Sequence, residues 1–183
     1  MERVSAAPRQ IGLLTRLRGD RRGVSAVEFA MLAPVMIAMY FGLAEFCQGF
    51  MAQKRMGHAT SLVADLVAQS DTITSGQVDD IFAIGGLIMK PYSATPLKMR
   101  VSSVTRGSDG VARVTWSRGS GMQARTGVVT IPAGLIVNGE SVIWSEATYD
   151  YDSPVDYMMP AITKFSQNFY LRPRSVESIA YTP

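Results

Sequence analysis

The side chains able to do chemistry are few and scattered: one histidine, His58, and one cysteine, Cys47, stand among fifteen carboxylates. His58 has no metal-ligating neighbour at helical or loop spacing and reads as a helix-surface residue. Cys47 excludes an intrachain disulfide and reads as a buried, inert thiol. Asp79-Asp80 lacks the third ligand a metal site needs, so it reads as two acids in a helix's first turn, where the dipole favours them. Glu146 and Asp150 fall on one side of an alternating segment with no basic or histidine partner in sequence, which predicts a solvated sheet face. No nucleophile–base pair, phosphate loop or metal cluster appears. With one His and one Cys most hydrolase and redox constellations are unavailable, and no cofactor is expected; carboxylate-only and Ser/Lys chemistry stay open.

Glu28 is different. It opens a stretch in which the next sixteen residues, Phe29 to Ala44, carry no charge. A helix rising 1.5 Å per residue needs about 20 apolar residues to cross the hydrocarbon core of a bilayer. Val24 to Ala44 meets that length with one carboxylate inside it. An acid there costs about 2.5–3.5 kcal/mol at the helix centre and less near an end, so it calls for a partner or a specific role. The helix dipole offsets part of that cost if Glu28 lies in the first turn.

Charge is distributed unevenly. Residues 1–23 carry six arginines against two acids, whereas the remaining 160 residues carry twelve basic and thirteen acidic groups. The pI of about 9.2 therefore belongs to the leader. Arginines beside a spanning segment mark its cytoplasmic side, which predicts a cytoplasmic N-terminus and an outer C-terminal domain. The apolar run beside the basic arm argues against nucleic acid and for membrane lipid as its neighbour.

Gly23, four uncharged residues and Glu28, opening an apolar helix after a basic leader, resemble the type IV prepilin processing site. The fuller run, with Pro34 and the Phe41-Gly42-Leu43-Ala44-Glu45 ending, is similar to the TadE-like pseudopilins of the tight-adherence (Tad) pilus system. The resemblance implies cleavage between Gly23 and Val24 by a membrane-embedded prepilin peptidase, with Val24 as the new, N-methylated terminus. It implies that Glu28, then in the fifth position, pairs with the terminal amine of a neighbouring subunit. It also implies a single-pass protein of the bacterial inner membrane with its C-terminal domain in the periplasm, incorporated into the pilus or acting beside it. Its partners would be other pilin and pseudopilin subunits and the Tad inner-membrane assembly machinery. The physics fits that role: a new α-amino group, with a reference pKa of roughly 7.7–8.0, is largely cationic at neutral pH. Pairing it with Glu28 removes two unpaired charges from lipid.

Two other readings compete. Gly42-Leu43-Ala44 is a small-x-small site at which a secretory signal peptide ends, although the apolar region exceeds the usual 7–15 residues and contains Glu28. The segment also suits an uncleaved anchor carrying an outer binding module.

The elements that would position these residues follow from periodicity. Apolar residues recur at Phe46, Phe50, Met56, Ala59, Leu62, Val63, Leu66 and Val67, a 3.6-residue rhythm that carries the helix to about Gln69. Its apolar stripe is expected to pack on the outer domain. Thr74-x-x-Gln77 reads as a capping box opening a short helix through Val78, Ile81, Phe82 and Leu87, ended by Lys90-Pro91. From Leu97 the period becomes two. Gly107 to Gly110 is a turn, and Val111 to Trp116 returns as a hairpin. Arg118 to Gln123 reads as a loop, Val128 to Ile131 as a short strand or edge, and Ser141 to Tyr151 as the best strand. Val155 to Phe165 reads as a short helix interrupted by Pro160, and Phe169–Arg174 with Val176–Tyr181 as a last strand pair or edge tail. Trp116 and Trp144 are the expected core anchors.

The expected organisation is a leader over 1–23, a transmembrane and amphipathic helix over 24–70, and an extracytoplasmic domain over 71–183. The fold class is α+β: a long N-terminal transmembrane helix leading into a mostly antiparallel sheet with one short helix.

Overall fold

The computed structural model describes residues 22–153 and 163–183. The leader through Arg21 lies outside the described residues, as does the helix expected over Val155 to Phe165 as far as Ile162; its last three expected residues, Thr163 to Phe165, open a strand instead. The chain divides into two compact units, one ending at Leu43 and one running from Ala44 to Pro183.

The first helix among the described residues, α1, spans Arg22–Ala68 and contains Pro34. It opens earlier than the charge pattern suggests, which leaves no acid in its first turn. Glu28 is thus in the second turn, where the dipole contributes little, and the expected offset to its cost falls away.

In the second unit α1 buries Ala52, Met56, Ala59, Val63, Ala64, Val67 and Ala68, each at 0% exposure. The apolar stripe packs as its spacing predicts, but its first two members do not join it: Phe46 and Phe50 remain exposed. After α1 come β1 (Thr72–Thr74), α2 (Ser75–Ile88), β2 (Leu97–Arg106), β3 (Ala112–Ser120), β4 (Ser141–Tyr151), β5 (Thr163–Leu171) and β6 (Ala180–Thr182). The class is α+β, as expected.

The capping box at the start of α2 is present in full. Thr74 Oγ1 accepts from the Gln77 amide at 3.2 Å, and Gln77 Oε1 accepts from the Thr74 amide at 2.8 Å. Asp79 and Asp80 lie beyond the first turn of α2. Asp79 instead accepts two hydrogen bonds from Arg118 on β3, at 3.0 and 2.6 Å. Gly85 lets α2 lie close to its neighbours, since a Cβ there would sit 3.0 Å from Val63 Cγ2 and 3.2 Å from the Met99 side chain. At the other end of α2, Arg55 of α1 donates to the Ile88 carbonyl at 3.1 Å.

Four strands form one antiparallel sheet in the order β3-β2-β4-β5. Gly110, at φ 77°, closes the β2–β3 turn. β3 continues to Ser120, beyond the loop expected from Arg118, because Arg118 and Gly119 still pair with Val101 and Arg100. The segment at Val128–Ile131 forms no strand; it makes one bridge, Arg113 to Val128. β1 and β6 pair in parallel as a separate three-residue ribbon.

Both faces of β4 are covered. Ile143, Ala147, Tyr149 and Tyr151 join the larger core with α1, α2 and Trp116. Val142 and Trp144 join a second core with Val104, Ala112 and Ile136. Trp116 and Trp144 are each 7% exposed, so both anchor a core, one on each side of the sheet. The tail ties back to the domain: Trp116 Nε1 donates to Ile179 O at 2.9 Å, and the Arg174 amide donates to Ala68 O at 2.9 Å.

Candidate assembly site on the first helix

Gly23, Val24 and Glu28 occupy the first two turns of α1, all exposed. Residues four apart on a helix share a face about one turn apart, so Val24 and Glu28 lie on one side, separated by a rise of about 6 Å. Gly23 falls about 140° around the axis from Glu28. A Cβ on Gly23 would meet no atom within 4 Å, so neither close packing nor a left-handed backbone explains glycine at this position.

Beyond Glu28 the surface is apolar all round: Phe29, Met31, Leu32, Val35, Met36, Ile37, Met39, Tyr40 and Leu43 are each 56–73% exposed. Such a surface is unstable in water and stable in lipid. By length and composition the helix is long and apolar enough to cross a membrane. Pro34 lacks the amide that would bond the Ala30 carbonyl, a defect membrane helices accommodate.

In the second unit, Glu45 is 1% exposed, beside Tyr151 at 2% and Ser153 at 7%. Burial foremost, then Tyr92 and the Glu45 charge, push the Tyr151 phenol above its ordinary pKa. The Tyr92 hydroxyl reaches Gln48 Oε1 at 2.8 Å, tying the loop after α2 to the same stretch of α1. Cys47 is exposed rather than buried, because it lies on the opposite side of α1 from Glu45 and Gly49.

The sheet holds a charged cluster that sequence reasoning missed. Glu146 is 9% exposed, not solvated. Arg100 Nε donates to its Oε2 and an Arg125 terminal nitrogen donates to its Oε1, each at 2.7 Å. The Arg125 guanidinium also lies 4.0 Å from the Trp144 ring centre. Arg100 further donates to Gln123 O at 3.0 Å, so the cluster fastens the loop after β3 onto the sheet. Asp150, at the same strand's end, has Lys98 at 3.4 Å and Lys164 at 3.5 Å. The signal that finds these partners is the ladder register, Arg100 opposite Glu146 and Lys98 opposite Thr148, which no local pattern prints. Among the described residues no group of three or more His, Cys, Asp or Glu could hold a metal ion, and His58 is exposed on α1.

Residues 23–65 match the family model described as TadE-like protein. The chain carries a TadE-like segment. That match is consistent with a TadE-like protein of the Tad pilus system, and it coincides with α1 almost from end to end. It stops short of the sheet, so the TadE-like likeness belongs to the helix. No curated protein and no solved structure was found to match the chain.

Proposed function

We propose that this chain is a structural subunit of Tad pilus biogenesis, a minor pilin or pseudopilin that assembles through α1. The reading rests chiefly on one coincidence: the TadE-like match begins at Gly23, where an exposed apolar helix opens with a single acid, Glu28. In this reading α1 crosses the inner membrane with its basic end in the cytoplasm and the outer domain in the periplasm. A prepilin peptidase cuts between Gly23 and Val24.

Glu28 then lies on the face of the new amine, one turn along the axis. A neighbouring helix shifted by about 6 Å brings its own amine level with this carboxylate. The ion pair forms in lipid, where each charge alone is expensive. Registry of the helices follows, because other shifts leave both charges unmatched. Other pilin and pseudopilin subunits and the Tad inner-membrane machinery are the partners.

Mass spectrometry of the protein from its native host tests the processing step. The expected chain begins at Val24. An intact leader alongside normal pilus output overturns the processing claim and leaves an uncleaved anchor carrying an outer binding module. Glu28→Ala is expected to insert normally into the membrane but to be lost from purified pili. Unaltered incorporation overturns the assembly role of Glu28.

A further inference from the structure

Two exposed stripes of the second unit match one another. The first lies on α1. Phe46, Phe50 and Lys54 are spaced four apart, so they share one side of the helix, and all three are exposed. The Phe46 and Phe50 rings stack at 6.4 Å, and Lys54 Nζ sits 5.3 Å from the Phe50 ring centre. A groove of about 560 Å³ runs from Phe50 and Lys54 across to Gln167 and Phe169 on β5. Gly57 puts no side chain into it, and a Cβ there would meet no atom within 4 Å.

The second stripe lies on α2. Asp80, Ile84 and Leu87 follow at steps of four and three, which places them on one side of that helix. All three are exposed, Ile84 at 43% and Leu87 at 60%. Adjoining exposed apolar side chains of this size mark a contact surface. Asp79 is held by Arg118, but Asp80 enters no ion pair among the described residues, and neither does Lys54.

The stripes are complementary in charge and in order. α2 holds two acids and no cation. Residues 46–64 of α1 hold Lys54, Arg55 and His58 and no acid. Going back along α1 from Lys54 come Phe50 and Phe46, a rise of about 12 Å. Going forward along α2 from Asp80 come Ile84 and Leu87, a rise of about 10 Å. Set antiparallel, the stripes bring Asp80 to Lys54, Ile84 to Phe50 and Leu87 to Phe46. Set parallel with the ion pair kept, Ile84 and Leu87 would fall at His58 and Ser61, which are polar.

Within one chain the stripes face away from each other. α2 packs along another side of α1: Gly85 faces Val63, Arg55 reaches the Ile88 carbonyl, and Tyr92, just after α2, reaches Gln48. The groove opens toward β5, whereas α2 is tied through Asp79 to Arg118 on β3. β5 and β3 are the opposite outer strands of the sheet. Unlike patches on opposite sides of one molecule make a heterologous contact, which can repeat from copy to copy. The α1 partners fall from Val63 to Arg55 to Gln48 as α2 and its loop advance, so α2 runs antiparallel to α1 within the chain. The α2 of a second copy, docked in the same sense, gives both copies one orientation.

We propose that the α2 ridge of one copy docks in the α1–β5 groove of a second copy, with Asp80 against Lys54 and with Ile84 and Leu87 on Phe50 and Phe46. The contact rests on the assembly reading above for a setting in which copies adjoin, but it uses neither Gly23 nor Glu28.

The test co-expresses two differently tagged full-length chains in the native host, both with Cys47→Ser. One carries Gln53→Cys beside the groove and the other Ala83→Cys beside the ridge; both keep Lys54 and Asp80. A short bismaleimide added to native membranes is expected to join the two tags. Lys54→Asp on the first chain, or Asp80→Lys on the second, lowers the yield about tenfold or more, and the two reversals together restore it. Urea unfolding midpoints of the purified variants are expected to match the parent's, since all four positions are exposed. An adduct that persists with one charge reversed overturns the proposal. So does an adduct formed as readily between two copies of the Gln53→Cys chain, which assigns the groove to a self-facing contact. Capture of an unrelated protein in place of the second tag assigns the groove to another partner. Shielding of Gln53→Cys in phosphatidylethanolamine–phosphatidylglycerol vesicles holding one chain each assigns it to lipid. Either result overturns the proposal. A missing adduct does so even where the chain reaches purified pili, which leaves the assembly reading standing.

Discussion

Glu146 shows why single residues of this chain mislead when read locally. It follows Ser145 and precedes Ala147 in an alternating strand, the pattern of a solvated face, yet two arginines distant in sequence meet it on a nearly dry surface. Both partners are mostly covered, with side-chain exposures of 18% for Arg100 and 27% for Arg125. Removing one member of a buried set strands the rest without compensation, so Glu146→Ala is expected to cost about 3 kcal/mol, read by urea unfolding in detergent. Lys98→Ala, which removes a partly exposed partner of Asp150, should cost under about 0.5 kcal/mol in the same assay. Asp109 offers a second check. Hydrogen bonds from Arg113 foremost, then from the Val111 amide, hold its carboxyl down from 3.8 to about 2. A depressed folded pKa contributes stability that is complete above the unfolded value and is lost as pH falls from about 3.8 through about 2. Carbon-detected NMR titration should find Asp109 ionised at pH 3, and Arg113→Ala should move its midpoint up toward about 3.9. Glu28, by contrast, was legible as unusual because its oddity is local: one acid opening sixteen uncharged residues.

At the scale of elements, the readable features are those written within one turn or one hairpin. The 3.6-residue rhythm placed α1, and the Thr74–Gln77 pair placed the start of α2 to the residue. Alternation found β2, β3 and β4. The β1–β6 ribbon escaped because three residues carry no period and the pairing joins positions more than a hundred apart. The extension of β3 escaped because its Gly119-Ser120 end looks like a loop until register with β2 is known. Two glycines are closely packed, one against backbone and one against side chains. At Gly119 an added Cβ would lie 2.1 Å from the Met122 carbonyl oxygen, a backbone atom that cannot swing aside. Gly119→Ala must therefore displace the loop that carries Gln123 and Arg125, and thermal unfolding should register a loss of about 1–3 kcal/mol. Gly85→Ala meets side chains rather than backbone, Val63 Cγ2 at 3.0 Å and the flexible Met99 at 3.2 Å, and gains helix propensity, about 1 kcal/mol over glycine. Its net effect should be smaller than that of Gly119→Ala, and the reverse order would disprove the packing argument. Thr74→Ala removes one half of the capping box and should cost about 1 kcal/mol.

For the whole molecule, the division after Leu43 separates a segment suited to lipid from a unit with its own interior. The larger core draws its α1 contribution from Ala52 onward, so none of its buried side chains comes from the first unit. A chain starting at Ala44 should therefore fold without the spanning segment. Its exposed Phe46, Phe50 and Met51 will favour association, so low concentration or mild detergent is the appropriate condition. The two tryptophans allow a stricter test of unity, because each reports a different face of one sheet. Trp116 stacks on Tyr181 at 5.0 Å in the larger core, and Trp144 stacks on Tyr170 at 5.3 Å in the smaller one. β2 and β4 supply residues to both cores: Val101 and Ile143 to the first, Val104 and Val142 to the second. Loss of either core removes one side of the strands on which the other is built. Trp116→Phe and Trp144→Phe each leave one reporter, and their fluorescence transitions should coincide with far-ultraviolet circular dichroism within experimental error. Midpoints separated by several degrees would mean that the smaller core melts on its own. The sheet would then be two structures sharing strands rather than one cooperative body.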